Sequence, residues 1–172
     1  RAFSSCRNLK SVSIPSSVKI IESCAFDECR KLESLNLSDG IEVVEYDAFY
    51  SCSSLRELYI PPSVTSLGNQ AFANCTALVN VVIDGKIESL EAGTFANCSN
   101  LKSVTLPESL GALRDYSSEY SYHPFYMCNR IEDVYFKGGV PSFDGTFSGN
   151  AQGHFLQKHA NEWMSVIDPV TK

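Results

Sequence analysis

Apolar positions return along this chain in a fixed phase, and the period is 23 residues. An Ala-Phe pair stands at Ala2-Phe3, Ala25-Phe26, Ala48-Phe49 and Ala71-Phe72, and continues as Thr94-Phe95, Pro124-Phe125 and, weakly, Thr146-Phe147. Cysteine keeps the same phase at Cys6, Cys29, Cys52, Cys75, Cys98 and Cys128, followed by Leu9, Leu32, Leu55, Leu78, Leu101 and Ile131. A strand-like alternation comes next. Its inward pairs are Val12/Ile14, Leu35/Leu37, Leu58/Ile60, Val81/Ile83, Val104/Leu106 and Val134/Phe136, the period-two pattern of a pleated, half-buried surface. Pro15, Pro61 and Pro107 close three of these strands, since Pro has no N–H to give a ladder. The return limb carries Val18/Ile21, Ile41/Val44, Val64/Leu67, Ile87/Leu90 and Leu110/Leu113.

Within each repeat Ala, Cys and Leu fall at i, i+4 and i+7, the spacing of one face of a short helical or 3-10 turn, with Phe filling the space between turn and strand. One repeat cannot bury that face alone. Stacking does so, because parallel strands lie about 4.7–4.9 Å apart and each column of like side chains closes on its neighbour. The columns resemble the BspA-like leucine-rich repeat family, whose repeats read A-F-x-x-C-x-x-L-x-x-[VI]-x-[IL]-P, over residues 1–145. The resemblance implies a leucine-rich-repeat solenoid of the α/β horseshoe class, rich in β. It would be a parallel strand ladder with one short strand and one short turn per repeat. Six repeats are expected in residues 1–145, the first truncated, and a degenerate repeat with a C-terminal cap in residues 146–172.

The pattern breaks twice. Between Leu113 and Phe125 the repeat lengthens by seven residues, and the stretch 114–123 is polar and rich in tyrosine: Tyr116, Tyr120 and Tyr122. Such an insertion must loop out. It is either a recognition loop, for which Tyr and Ser are favoured, or a tolerated surface insertion whose rings pack back over the repeat edge. Residues 154–167 carry Phe155, Leu156, His159, Trp163 and Ile167 at helical spacing, which predicts an amphipathic helix closing the last repeat, with Trp163 as an anchor.

Charge and chemistry narrow the reading further. Acidic residues outnumber basic ones 20 to 14 and no Lys/Arg block follows a phosphate backbone, which argues against nucleic acid as partner. No apolar run is long enough to span a membrane and no signal peptide is legible. The chain opens partway through its pattern without Met, as a piece of a longer protein would. Six of the seven cysteines share one column without any C-x-x-C pair, which points to buried free thiols rather than disulfides or zinc. Cys24 lies outside that column, in one otherwise holding Asp47, Gln70 and Gly93, and is expected to be exposed and oxidisable. His123, His154 and His159 accompany no catalytic signature, and no glycine-rich phosphate loop is present. The expectation is a non-enzyme without cofactor or metal.

The outward strand positions remain. They read Ser13, Asn36, Tyr59, Val82, Thr105 and Tyr135 in one column and Ser11, Ser34, Glu57, Asn80, Ser103 and Asp133 in the next. The candidate binding residues are Tyr59, Tyr135, Asn36, Glu57 and Asp133 on this face, and Tyr116, Tyr120 and Tyr122 on the insertion. The resemblance implies a surface or secreted bacterial protein that recognises a host or microbial surface protein or glycan, in adhesion or host interaction. The other reading is a structural spacer. A monomer is expected. If the Phe column is core, Phe49→Ala should destabilise the fold by roughly 3–5 kcal/mol in denaturant unfolding, and a loss below about 1 kcal/mol would show that it is not.

Overall fold

The computed structural model describes residues 1–114 and 123–138, together with short strands at Ser142–Phe143 and His154–Phe155. Each repeat, taken from one Ala-Phe position to the next, makes one coil. Coil 1 contributes β1 (Ser11–Ile14) and β2 (Ile20–Ile21), coil 2 β3 (Ser34–Leu37) and β4 (Val43–Val44), and coil 3 β5 (Glu57–Ile60) and β6 (Ser66–Leu67). Coil 4 contributes β7 (Asn80–Ile83) and β8 (Ser89–Leu90), coil 5 β9 (Ser103–Leu106) and β10 (Ala112–Leu113), and coil 6 β11 (Asp133–Phe136) and β12 (Ser142–Phe143). β13 (His154–Phe155) follows. Every strand pair is parallel, and like positions of successive coils stand opposite one another, as in Val12↔Leu35, Leu58↔Val81 and Val104↔Val134. The expected parallel-strand solenoid is therefore present. Its three sides are the long strands, the short strands and the segment carrying Ala-Phe and Cys.

The core consists of the columns read from the sequence. Phe49, Phe72 and Phe95 are fully buried, and the six rings from Phe3 to Phe125 stack with centroids 5.1–5.7 Å apart and planes within 10° of parallel. Leu32, Leu55, Leu78 and Leu101 are buried completely beside them.

The third side is not helical. Among the described residues there is no helix at all, and the Ala-Phe-to-Cys segment is a run of tight turns. In coil 2 and its approach, alternate N–H groups serve different ends. Those of Ala25, Asp27 and Cys29 bond within the turn to Glu22, Cys24 and Phe26 carbonyls, whereas those of Cys24, Phe26 and Glu28 reach Tyr46, Ala48 and Tyr50 of the next coil at 2.8–3.1 Å. A helix would consume every donor internally and leave this side without inter-coil bonds. Two residues per turn adopt left-handed backbone to aim those donors outward: Cys24 and Glu28, Asp47 and Ser51, Gln70 and Asn74, Gly93 and Asn97. For a non-glycine residue that conformation costs about 1–2 kcal/mol, least for Asn and Asp. The Ala, Cys and Leu spacing satisfies this geometry as well as a helix. The cap expectation changes similarly at its start, because the backbone of His154 and Phe155 is a strand paired with Asp133 and Val134. Residues 156–167, including Trp163, lie outside the described residues.

The cysteines are unpaired, and their role is more specific than filling space. Each buried thiol of the column faces the Phe carbonyl of the preceding coil: Cys29 to Phe3, Cys52 to Phe26, Cys75 to Phe49, Cys98 to Phe72 and Cys128 to Phe95, with Sγ···O 3.0–3.4 Å. The carbonyls of Phe3, Phe26, Phe49 and Phe95 also accept the N–H of the cysteine in their own coil, as Phe26 does from Cys29. Cysteine thus satisfies a second lone pair in a dry interior with a weak donor. Cys24 is buried, at 4% exposure, contrary to expectation; its neighbours in the column are polar because the position calls for left-handed backbone, not because it faces water.

The corner joining long to short strand alternates between coils. It reads Pro15-Ser16-Ser17, Pro61-Pro62-Ser63 and Pro107-Glu108-Ser109 in coils 1, 3 and 5, but Ser38-Asp39-Gly40, Asp84-Gly85-Lys86 and Lys137-Gly138 in coils 2, 4 and 6. Ser38, Asp84 and Lys137 donate their N–H to Ile14, Ile60 and Leu106 of the coil before, at 2.9–3.2 Å. Pro61 and Pro107 have none to offer Leu37 and Ile83. There the ladder weakens: β3 and β5 touch but belong to separate sheets, and β7–β9 registers three pairs where β5–β7 registers four. A serine two residues on ties each of these corners to the preceding coil at a different carbonyl, Ser63 Oγ donating to Ile41 O at 2.7 Å and Ser109 Oγ to Ile87 O at 3.0 Å. The other corners press close to their predecessors, so that a Cβ on Gly85 would lie 2.6 Å from Val64 O.

Burial raises the Cys75 thiol to about 12 and pushes Cys29 and Cys52 upward as well. Because the thiolate is the reactive form, a maleimide reagent should label Cys6, the exposed cysteine, in the folded protein. The other six should react only after unfolding, as counted by mass spectrometry, and fast labelling of Cys52 or Cys75 in the native state would contradict this packing.

Candidate functional site

The outward long-strand positions form a continuous face. Ser13, Asn36, Tyr59 and Tyr135 are exposed and Val82 and Thr105 half-buried in one column, while Ser11, Ser34 and Glu57 are exposed and Asn80, Ser103 and Asp133 half-buried in the other. Alternation forces this, because the intervening residues turn inward to the Phe and Leu columns. Neighbouring side chains cross-link the strands. Asn36 Nδ2 donates to Ser13 Oγ at 3.2 Å, and Asn80 Nδ2 lies 3.1 Å from both Glu57 carboxylate oxygens. The face is therefore partly ordered by its own polar pairs.

Tyr59 and Tyr135 share a column but stand three strands apart, with Val82 and Thr105 between them. At strand spacing that is about 14 Å, too far for one to stack on the other. Tyr59 instead turns toward the corner and donates its hydroxyl to Asp84 Oδ2 at 3.0 Å. Asp84 Oδ1 accepts from Lys137 Nζ, which arrives from two coils further on and passes over Pro107. Asp84 and Lys137 were not singled out in the sequence. Their signal is that they replace Pro in the strand-closing column, as Ser38 also does.

Asp84 and Lys137 line an open groove of about 450 Å³ at the end of the long strands, together with Pro62, Gly85, Lys86, Pro107, Glu108 and Ser109, and Tyr59 bonds to Asp84 from beside it. The hydrogen bond from the Lys137 ammonium holds the Asp84 carboxyl below its ordinary value, helped by the Tyr59 hydroxyl and opposed by partial burial. Partial burial, and then the bond and charge of Asp84, push the Tyr59 phenol upward. At neutral pH the network is thus ionised Asp84, ammonium Lys137 and neutral Tyr59.

The insertion is attached elsewhere. It leaves after β10 at Arg114 and rejoins at buried His123, which places both ends at the corner between the short strands and the Phe side, across the coil from the long-strand face. Tyr116, Tyr120 and Tyr122 lie outside the described residues. Among the described residues no group of three or more His, Cys, Asp or Glu is arranged to hold a metal, and no helix is long and apolar enough to cross a membrane.

Comparison with known proteins agrees with this architecture. The BspA type leucine rich repeat region matches residues 1–123 in six copies. Among solved structures, a T. pallidum leucine rich repeat protein is 34% identical with a TM-score of 0.67, covering 83% of this chain and 63% of that one. A leucine-rich repeat protein from Eubacterium ventriosum is 26% identical with a TM-score of 0.66, over 74% of this chain and 32% of that one. One from Bacteroides ovatus is 29% identical with a TM-score of 0.55, over 84% and 44%. The chain spans less than two thirds of each of these proteins. No curated protein matches it.

The network makes a local prediction. In Lys137→Met the Asp84 carboxyl should titrate at higher pH, toward its ordinary value of 3.8, as followed by side-chain carboxyl NMR. Since the folded-state value is lowered, the pair's small stabilisation is present at neutral pH and is lost as the pH falls through that value. An unshifted titration would mean that the ammonium does not act on Asp84.

Proposed function

The chain belongs to the BspA type leucine rich repeat family, and on that premise we propose that it is a non-enzymatic recognition module of a bacterial surface or secreted protein, binding a protein or glycan in adhesion or host interaction. The observation that carries this is the long-strand face. A solenoid with one side given to inter-coil turns and another to two-residue strands leaves the four-residue strands as a broad surface of mixed polar and aromatic residues. Its side chains are held by their own hydrogen bonds, as Asn80 is by Glu57 and Tyr59 by Asp84. Preorganised side chains lose less freedom on binding, which favours affinity. Tyr59 and Tyr135 supply the exposed aromatic area on which such surfaces depend. The location rests on the family, as does the choice of partner class.

The insertion offers a second surface, favoured by its three tyrosines among ten residues. Its two ends lie across the coil from the strand face, so it and the face are separate surfaces. Binding of the chain to immobilised fibronectin, fibrinogen, mucin and a glycan set decides between them. Saturable binding abolished by Tyr59→Ala/Tyr135→Ala is the expected result, and loss only on deleting residues 115–122 would move the site to the insertion. No binding at tens of micromolar, a concentration at which weak recognition is already worth about 6 kcal/mol, would favour a spacer.

A further inference from the structure

The groove at the end of the long strands differs in chemistry from the rest of the strand face. Its walls hold Asp84 and Lys137, paired with each other, and Lys86 and Glu108, exposed and of opposite sign, so the charges balance. A site with no net charge gives little attraction to an ion of either sign. It also offers no deep apolar slot for an aromatic or aliphatic anchor, because its floor is Pro107 and the neck at Gly85. What it does offer is a shallow lining with a few polar groups fixed in it, Asp84 and Lys137. Each Asp84 oxygen holds one protein hydrogen bond, from Tyr59 or Lys137, and retains a lone pair for another. The Lys137 ammonium has two further protons to donate and the Tyr59 oxygen can accept.

The corner alternation explains why the groove is here. Pro107 cannot bond back to Ile83, which leaves the strand ends of coils 4 and 5 less tightly joined, and Lys137 spans the resulting gap from coil 6. Asp84 takes its place at the position where the coils on either side carry Pro61 and Pro107, and Gly85 cannot carry a side chain without striking Val64 O. Close-packed backbone on one side and a charged bridge on the other hold the groups in place.

We propose that this groove, lined by Asp84, Lys86, Pro107 and Lys137 with Tyr59 bonded to Asp84 beside it, is a subsite for one neutral sugar unit of a glycan. Adjacent hydroxyls of a sugar ring present a pair of groups that can each donate and accept, matching the two Asp84 oxygens and the Lys137 ammonium. The C–H face of the ring is apolar and suits the lining at Pro62 and Pro107. A volume of about 450 Å³ is within the range of small-ligand sites, and its openness lets a chain continue out of it. The inference rests on the recognition reading above and narrows its partner to a carbohydrate.

The test uses multivalent carriers bearing galactose-, glucose- or mannose-terminated oligosaccharides, with sialylated and sulfated carriers and the protein panel beside them. Wild-type chain is compared with Asp84→Asn/Lys137→Met, Tyr59→Ala and Tyr46→Ala, the last an exposed tyrosine on another side of the coil, and thermal unfolding confirms that each variant folds. The expected result is binding to at least one neutral carrier, inhibited by its free sugar. It should weaken by roughly tenfold to a hundredfold in the first two variants, the worth of charge-assisted bonds, and stay unchanged in Tyr46→Ala. Binding only to sialylated or sulfated carriers, only to proteins, or to neutral carriers regardless of Asp84 and Lys137, would overturn the sugar subsite while leaving recognition intact. Silence toward every probe would overturn both.

Discussion

Each coil must pair its backbone groups with coils on either side, and the side chains accept whatever that pairing imposes. On the long-strand side the requirement is met by a parallel ladder, interrupted only where β3 meets β5. On the Phe side it is met by turns in which every second N–H points to the next coil, and those turns exist only because two residues per repeat take left-handed backbone. The stacked Phe rings, the buried thiols and the exposed strand face all follow from this. Rings whose planes lie within 10° of one another require coils that do not rotate, and coils held by bonds on more than one side cannot rotate freely.

Cysteine is the residue on which backbone and core meet. In the middle coils the Phe carbonyl lies in the buried interior, and those of Phe26, Phe49 and Phe95 already accept one N–H. A thiol from the next coil approaches it at hydrogen-bond distance without bringing a strongly solvated group into the core. Alanine would leave the carbonyl with one partner. A conserved-looking cysteine column therefore reads as a packing and hydrogen-bonding device, and its raised thiols are chemically quiet.

Much of this was legible in the sequence because the repeat averages over copies. Phe, Leu and strand columns each recur often enough to fix which residues face inward, and the outward columns follow by alternation. Three features were not legible. The turn beside Ala25 and Phe26 has the apolar spacing of a helix, and only the hydrogen bonds distinguish the two. Cys24 sits among polar equivalents, so its burial could not be read from the column. Asp84 and Lys137 stand 53 residues apart, a separation that the insertion takes off the repeat period, so nothing in the spacing paired them. The clue was the residues that fail to match: Pro15, Pro61 and Pro107 were noticed, whereas the non-proline residues between them, Ser38, Asp84 and Lys137, carried the local chemistry.

The alternating corner also sets how such a chain can change its length. A proline corner is tied to the coil before it by a serine hydroxyl in coils 3 and 5, and a glycine corner presses against its neighbour's backbone. Removing a single coil would set two corners of the same kind against each other, whereas removing two restores every donor to an acceptor of the kind it had. The natural quantum of growth or loss along this rod is thus the doublet of coils, and a lineage that lengthens or shortens it does so most cheaply in steps of two.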